Sequence, residues 1–113
     1  MAVVEQVITH SIASEFSRTP GPRYVEQGPF SGEMFRKDCL KGWLAEADHL
    51  GAKLRINLDG GYGYAPSFLE ESFGGLAREV GRDRVLRRIE LISDEEPLLM
   101  DSIHKYILEA ESV

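Results

Sequence analysis

The sequence has little of what secreted, membrane-spanning and nucleic-acid-binding proteins need. Its 113 residues include one cysteine, Cys39, so a disulfide within the chain is excluded. No apolar run approaches the ~20 residues of a transmembrane helix, and residues 1–10 lack the basic start and apolar core of a secretory signal. The 19 acidic residues outnumber the 13 basic ones, and the net charge of -6 disfavours contact with nucleic acid or an anionic membrane. We therefore expect a cytoplasmic protein that binds neither nucleic acid nor membrane.

Residue types that form catalytic and metal sites are few and widely spaced. His10, His49 and His104 lie far apart, so neither a zinc site nor a Ser-His-Asp constellation is indicated. The glycine-rich residues 60–63 lack the lysine of a P-loop and the spacing of a dinucleotide fingerprint. We therefore expect no metal and no cofactor, and we favour a non-enzymatic domain over an enzyme.

The chain does have the composition of a globular domain. Hydrophobic residues make up 42% and charged residues 28%, which is ordinary for such a domain, and the length suits one domain over residues 1–113. Apolar periodicity predicts alternating strands and helices, with a short strand at 23–26 as an option inside the long loop 11–30. The predicted strands are 2–9, 54–58 and 84–92, and the predicted helices are 31–50, 66–80 and 93–110. This β(β)αβαβα order predicts an α/β domain with parallel strands.

Residues 54–80 have the clearest local sequence pattern in the chain. The alternation in 54–58 predicts a strand with one buried face, and the glycines in 59–64 predict a turn after it. Ser67, followed three residues later by Glu70, predicts a capping box at the start of the next helix. The pair Gly74-Gly75 weakens that helix by ~1 kcal/mol per residue and predicts a close approach of the helix to the sheet.

Three segments resemble one known bacterial family: PGPRY at residues 20–24, SGEMFR at 31–36 and SFLEESFGGL at 67–76. Together they resemble the STAS-like domain of unknown function, which is named after the fold of sulphate transporters and anti-sigma-factor antagonists. The resemblance implies a two-layer α/β structure with helices packed mainly on one face of the sheet. It also implies a regulatory role through protein contacts, with a histidine-kinase-like ATPase as the partner by analogy.

The leading hypothesis is a regulatory or protein-interaction domain that acts through the turn around residues 59–71. Exposed tyrosines on a loop are good interface anchors, although packing of both tyrosines under the sheet is an equal alternative. A homo-oligomer remains open as well. The predicted interaction surface consists of Tyr62, Tyr64, Ser67, Glu70 and Glu71.

The first alternative is a phospho-switch with Ser67 as the acceptor. In anti-sigma-factor antagonists, which the family resembles in fold, the partner kinase phosphorylates a serine at the strand-to-helix turn. Ser67 lies near that position, but the chain has Ala65-Pro66-Ser67-Phe68 where those proteins have Asp-Ser-Ser-Gly. A phosphate there would sit at a helix N-terminus, which favours an anion.

The second alternative is a small enzyme or nucleotide binder at the same turn. Its site would consist of Arg23, Arg36, Asp59 and Glu70, with the two arginines contacting an anion or a partner. Carboxylates near one turn are able to perform acid–base chemistry or bind a divalent cation. A solvated acidic rim and a capping glutamate are the favoured interpretation of these carboxylates.

Overall fold

Three parallel strands form the centre of the fold in the computed structural model, which describes residues 6–110. The strands are β1 (Val7–Ser11), β2 (Lys53–Asn57) and β3 (Ile89–Ile92), and they lie side by side in the order β1-β2-β3. Both neighbouring pairs are parallel. Parallel neighbours need crossover connections, which the intervening helices supply. The predicted α/β class is confirmed.

Five helices accompany these strands within residues 6–110. Helices α2 and α3 each contain a π-helical turn in the middle, which is an uncommon, locally widened helical geometry. The bounds are Ile12–Glu15 for α1; Gly32–Phe35, Arg36–Leu40 (π) and Lys41–Leu50 for α2; Pro66–Leu69, Glu70–Gly74 (π) and Gly75–Val80 for α3; Arg82–Arg88 for α4; and Leu98–Leu108 for α5.

The sheet has one buried face and one polar face. Leu54 and Ile56 of β2 are fully buried in the hydrophobic core, where the aromatic rings of α2 and α3 also lie. Arg55, between them, points the other way and pairs with Glu90 of β3 at 3.2 Å, with both side chains about two-fifths exposed. The structure is therefore two-layered, as the family resemblance implies.

Helix α2 begins and ends where the sequence predicts. Ser31 is the N-cap, and its hydroxyl accepts a hydrogen bond of 3.0 Å from the backbone N–H of Met34. Gly51 ends the helix in the left-handed conformation, with φ of 64°, which a residue without Cβ adopts at little cost.

Two strand predictions are wrong. The optional strand at 23–26 is a short 3₁₀ helix, Val25–Gln27. The first part of the predicted strand 84–92 is α4, and only Ile89–Ile92 is a strand. Four residues apart on α4, Arg84 and Arg88 both donate to Asp48 of α2, with Nε–O distances of 2.7 and 2.9 Å. Helical spacing puts both arginines on one face, and this tertiary pairing overrides the strand-like apolar pattern.

Two other predicted boundaries are shifted. Strand β1 begins at Val7, and residues 2–5 of its predicted range lie outside the described residues. Helix α5 begins at Leu98 rather than at residue 93, since Ser93 instead donates its hydroxyl to the carbonyl of Glu96 and closes a turn there.

His10 belongs to the packing between the sheet and the helices. Its ring stacks on Trp43 of α2, with centroids 4.4 Å apart, and its nitrogens lie 2.7 Å from Glu15 and 3.1 Å from Glu46. Burial lowers the pKa of His10, but the hydrogen bonds to the two carboxylates outweigh it and leave the pKa above its ordinary value. This histidine connects β1 to α1 and α2.

Candidate functional site

Hydrogen bonds attach the turn between β2 and α3 to two other segments of the chain. The Asp59 carboxylate accepts hydrogen bonds from the backbone N–H groups of Asp94 and Glu95, at 3.1 and 3.0 Å. The backbone N–H of Tyr62 donates to the carbonyl of Arg18 at 2.8 Å. The turn is therefore attached both to the loop after β3 and to the segment after α1.

The two tyrosines of the turn have different environments. Tyr64 is half-buried and donates its hydroxyl to the carbonyl of Leu58 at 2.8 Å. Burial, with the neighbouring carboxylate of Asp59 and those of the loop after β3, raises the pKa of Tyr64 to about 12. Tyr62, in contrast, is 83% exposed. Tyr64 thus holds the turn in shape, and Tyr62 is presented to solvent.

The predicted capping box of α3 is wrong. The N-cap is Ala65, which makes no side-chain capping bond, and Pro66 is the first helical residue. Proline suits that position because its φ is already helical and it has no N–H to satisfy. Ser67 is consequently the second residue of the helix, where it is partly exposed. The Glu70 carboxylate binds arginine side chains instead.

Seven charged side chains connect the proline-rich loop, α2 and α3; we call them the ion network. Three carboxylates are shared among four cations at N–O distances of up to 3.4 Å. Glu70 receives two hydrogen bonds from Arg78 and one from Arg23. The members of the network are Arg23, Arg36, Lys41, Glu70, Glu71, Arg78 and Glu79.

Backbone pairing in the proline-rich loop positions Arg23. The N–H of Gly21 donates to the carbonyl of Phe30 at 2.8 Å, and the N–H of Glu33 donates to the carbonyl of Arg23 at 2.9 Å. The loop is thereby closed at its base and joined to the first turn of α2. Arg23 then reaches α3, where its Nη1 lies 2.6 Å from Glu70.

Arg36 and Glu71 form the buried centre of the network. Arg36 is 8% exposed and Glu71 is 7% exposed, and each lies in the π-helical turn of its helix. One guanidinium nitrogen of Arg36 donates to both the carboxylate and the carbonyl of Glu71. A buried pair of this kind needs such extra hydrogen bonds, because desolvation of the two charges is costly.

The network keeps its surface carboxylates ionised. The hydrogen bonds from Arg78, and then those from Arg23, lower the pKa of Glu70. The hydrogen bond from Lys41 lowers the pKa of Glu79. A general acid at neutral pH needs a raised pKa, so these two carboxylates are poorly suited to donate a proton.

The two adjacent glycines of α3 make room for the network rather than for the sheet, which corrects the prediction made for them. A Cβ on Gly75 would overlap Nη1 of Arg36 and lie 3.2 Å from its Cδ. A Cβ on Gly74 would lie 2.5 Å from a carboxylate oxygen of Glu70. The glycines therefore permit ionic side chains to cross the surface of α3.

A groove lies beside the ion network, next to α2 and α3. Its volume is about 450 Å³, and charged side chains make up most of its lining. The lining residues are Tyr24, Arg36, Glu71, Gly75, Arg78 and Glu79.

The structure brings together part of the second alternative's residue set. Arg23, Arg36 and Glu70 belong to the ion network, as does Glu71 of the predicted interaction surface. Asp59 instead binds the loop after β3. Glu79, which lines the groove beside them, was not predicted from the sequence.

Two features are absent from residues 6–110. No group of three or more His, Cys, Asp or Glu side chains in this range has an arrangement able to hold a metal ion. No helix in the same range is long and apolar enough to cross a membrane.

The fold and the site together define a small α/β domain of STAS-like type. Residues 31–99 match the family described as the STAS-like domain of unknown function (DUF4325), which is more than half of the chain. The chain belongs to this family, and the resemblance seen in the sequence is confirmed. The match contains the whole ion network except Arg23. No curated protein and no solved structure gives a significant match.

Proposed function

We propose that this chain is a non-enzymatic regulatory domain that binds a protein partner through the turn around residues 59–71. The observation that carries the proposal is the contrast within the turn: Tyr62 is 83% exposed, while hydrogen bonds fix the backbone on either side of it. Tyrosine is enriched at interface hot spots. A preformed loop loses little conformational entropy when it binds, which favours affinity.

The predicted surface has an outer and an inner part. The side chain of Tyr62 is largely exposed to solvent, and those of Ser67 and Glu70 are partly exposed. Tyr64 and Glu71 are less exposed to solvent. Tyr64 donates its hydroxyl to the Leu58 carbonyl, and the Glu71 carboxylate pairs with Arg36. We infer that the outer residues contact the partner and that the inner two support them. The partner that the family analogy suggests is a histidine-kinase-like ATPase.

Replacing Tyr62 with alanine should weaken binding to the partner by at least about tenfold, because truncation of an aromatic hot spot costs about 2 kcal/mol or more. Titration calorimetry with a histidine-kinase-like ATPase from the same organism measures the affinity. The variant should keep its unfolding midpoint, since the Tyr62 side chain is almost wholly in solvent.

Leu50→Ala is the matched control, because Leu50 is a 48%-exposed side chain at the far end of α2. It should bind like the wild type. Wild-type affinity in Tyr62→Ala would rule out this contact surface, and equal losses in both variants would show that the effect is not local.

A phospho-switch at Ser67 is the second candidate, and two observations favour it. The Ser67 hydroxyl is not used as the N-cap, since Ala65 holds that position. The charge of Glu70 close by is countered by Arg23 and Arg78, which reduces its repulsion of a phosphate.

Incubation with the same ATPase and ATP should add one phosphate to the wild-type chain and none to Ser67→Ala, as seen by intact mass. Ser11→Ala is the control, because Ser11 is partly exposed like Ser67 but its hydroxyl is already used as the N-cap of α1; this variant should be labelled like the wild type. Equal labelling of wild type and Ser67→Ala would exclude Ser67 as the acceptor.

A further inference from the structure

The charged side chains that line the groove balance one another, with Arg36 and Arg78 against Glu71 and Glu79. The wider ion network has four cations and three carboxylates. Arg78 is one-third exposed there and keeps donors beyond those it gives to Glu70, since a guanidinium has five. An anionic group in the groove would therefore find hydrogen-bond donors on Arg78.

Arg36 has one N–H group without a hydrogen-bond acceptor. Its Nε is buried and has no hydrogen-bond partner among residues 6–110, although a carboxylate oxygen of Glu79 lies 3.0 Å away in poor alignment. A buried donor that is left unsatisfied costs free energy, and such groups often mark the position of a missing ion or ligand. A correctly placed oxygen atom would supply the acceptor.

Glu79 occupies the place that such an oxygen would take. Its carboxylate is held on the other side by Lys41 at 2.8 Å, so it keeps a partner when it leaves Arg36. Glu79 is also about one-third exposed, which makes its displacement easier than that of the buried Glu71. We interpret Glu79 as a competitor for the ligand's position.

The way the groove is built also fits a binding site. Arg36 and Glu71 both come from π-helical turns, which occur frequently at functional sites. Tyr24, at 41% exposure, adds an aromatic face, with the Arg23 guanidinium 5.9 Å from its ring centre. The volume of about 450 Å³ lies within the usual range of small-molecule sites.

We propose that this groove binds a small ligand through one oxyanion group, either a phosphate monoester or a carboxylate, which accepts hydrogen bonds from Arg36 Nε and from Arg78. Arginine forks match both groups in geometry. The site differs from the enzyme or nucleotide-binder hypothesis above, because it excludes Asp59 and uses Arg78 and Glu79. It is also independent of the protein contact proposed at Tyr62.

Titration calorimetry with adenosine monophosphate, benzoate and adenosine tests the proposal and separates the two sources of the oxyanion. We expect a dissociation constant on the order of 0.1–1 mM for adenosine monophosphate or for benzoate, and no binding of adenosine, which lacks the anion. Absence of binding for both anions, or binding of adenosine as tight as that of its monophosphate, overturns the proposal.

Variants then locate the bound anion. Glu79→Gln should tighten binding of whichever probe binds by about tenfold, because it removes the competing charge, and Arg78→Gln should weaken it by a similar factor. Lys105→Gln and Glu109→Gln are controls with the same charge changes on exposed side chains at the C-terminal end of α5 that do not line the groove, and they should bind like the wild type. Equal effects in the variants and their controls overturn the proposal.

Discussion

Replacing Gly75 with alanine is expected to destabilise the fold by about 2–4 kcal/mol, although the same change normally stabilises a helix by about 1 kcal/mol. The added Cβ would overlap Nη1 of Arg36 and crowd Cδ and Cζ, at 3.2 and 3.3 Å. Arg36 is buried and its Nη1 donates to Glu71, so a shift of the guanidinium away from the new Cβ strains that pair. Overpacking costs about 1–3 kcal/mol, and weakening a buried pair whose complete loss costs about 3–5 kcal/mol adds to it, so the loss outweighs the gain of about 1 kcal/mol in helix propensity.

Gly42→Ala is the matched control, because Gly42 also lies inside a helix and an added Cβ there meets nothing within 4 Å. It should stabilise the protein by about 0.5–1 kcal/mol. Urea denaturation of both variants measures the two free energies of unfolding. If both changes stabilised the protein alike, Gly75 would have no role in admitting Arg36 to the surface of α3.

Local sequence patterns predicted the elements that local physics determines. The cap at Ser31 and the stop at Gly51 depend on side chains and backbone within a few residues, and both were found. Alternation at Leu54 and Ile56 marked a buried strand face correctly, because the helices cover only that face. The helical stripe of α2 was likewise visible, since its apolar residues contact a single core.

The failures have two physical causes. At α3, two local signals competed, and Pro66 at the first helical position prevailed over a capping serine one residue later. At α4, Arg84 and Arg88 found a common partner in Asp48, which is 36 and 40 residues away in sequence. A contact at that distance leaves no periodic trace in a single sequence, so the arginines were interpreted as part of a strand.

The candidate site was predictable only in part for the same reason. Arg23, Arg36 and Glu70 stood out within segments that resemble a known family, but nothing in the sequence showed that they touch. Arg36 and Glu71 are 35 residues apart and meet because two π-helical turns face each other. The glycine pair at 74–75 signalled a close approach, yet its partner could not be known without the geometry.

Removing either member of the buried pair is expected to cost about 3–5 kcal/mol, because the remaining charge is left without its main partner. The single changes are Arg36→Met and Glu71→Leu, which preserve much of the side-chain volume. The double variant should lose less than the sum of the two by at least about 1 kcal/mol, since it buries no unpaired charge. Urea denaturation of the four proteins at a common pH completes the cycle.

Lys37→Met is the comparison for an ion pair in solvent. Lys37 follows Arg36 in α2, and its side chain, which is 55% exposed, pairs with Glu33 at 3.0 Å. Its loss should be below about 0.5 kcal/mol and should shrink further as salt is added. The cost of Arg36→Met should persist in high salt, because the pair is shielded from solvent ions. A cost for Arg36→Met as small and as salt-sensitive as that for Lys37→Met would mean that the buried pair does not hold α2 and α3 together, and that the groove between them is not preformed.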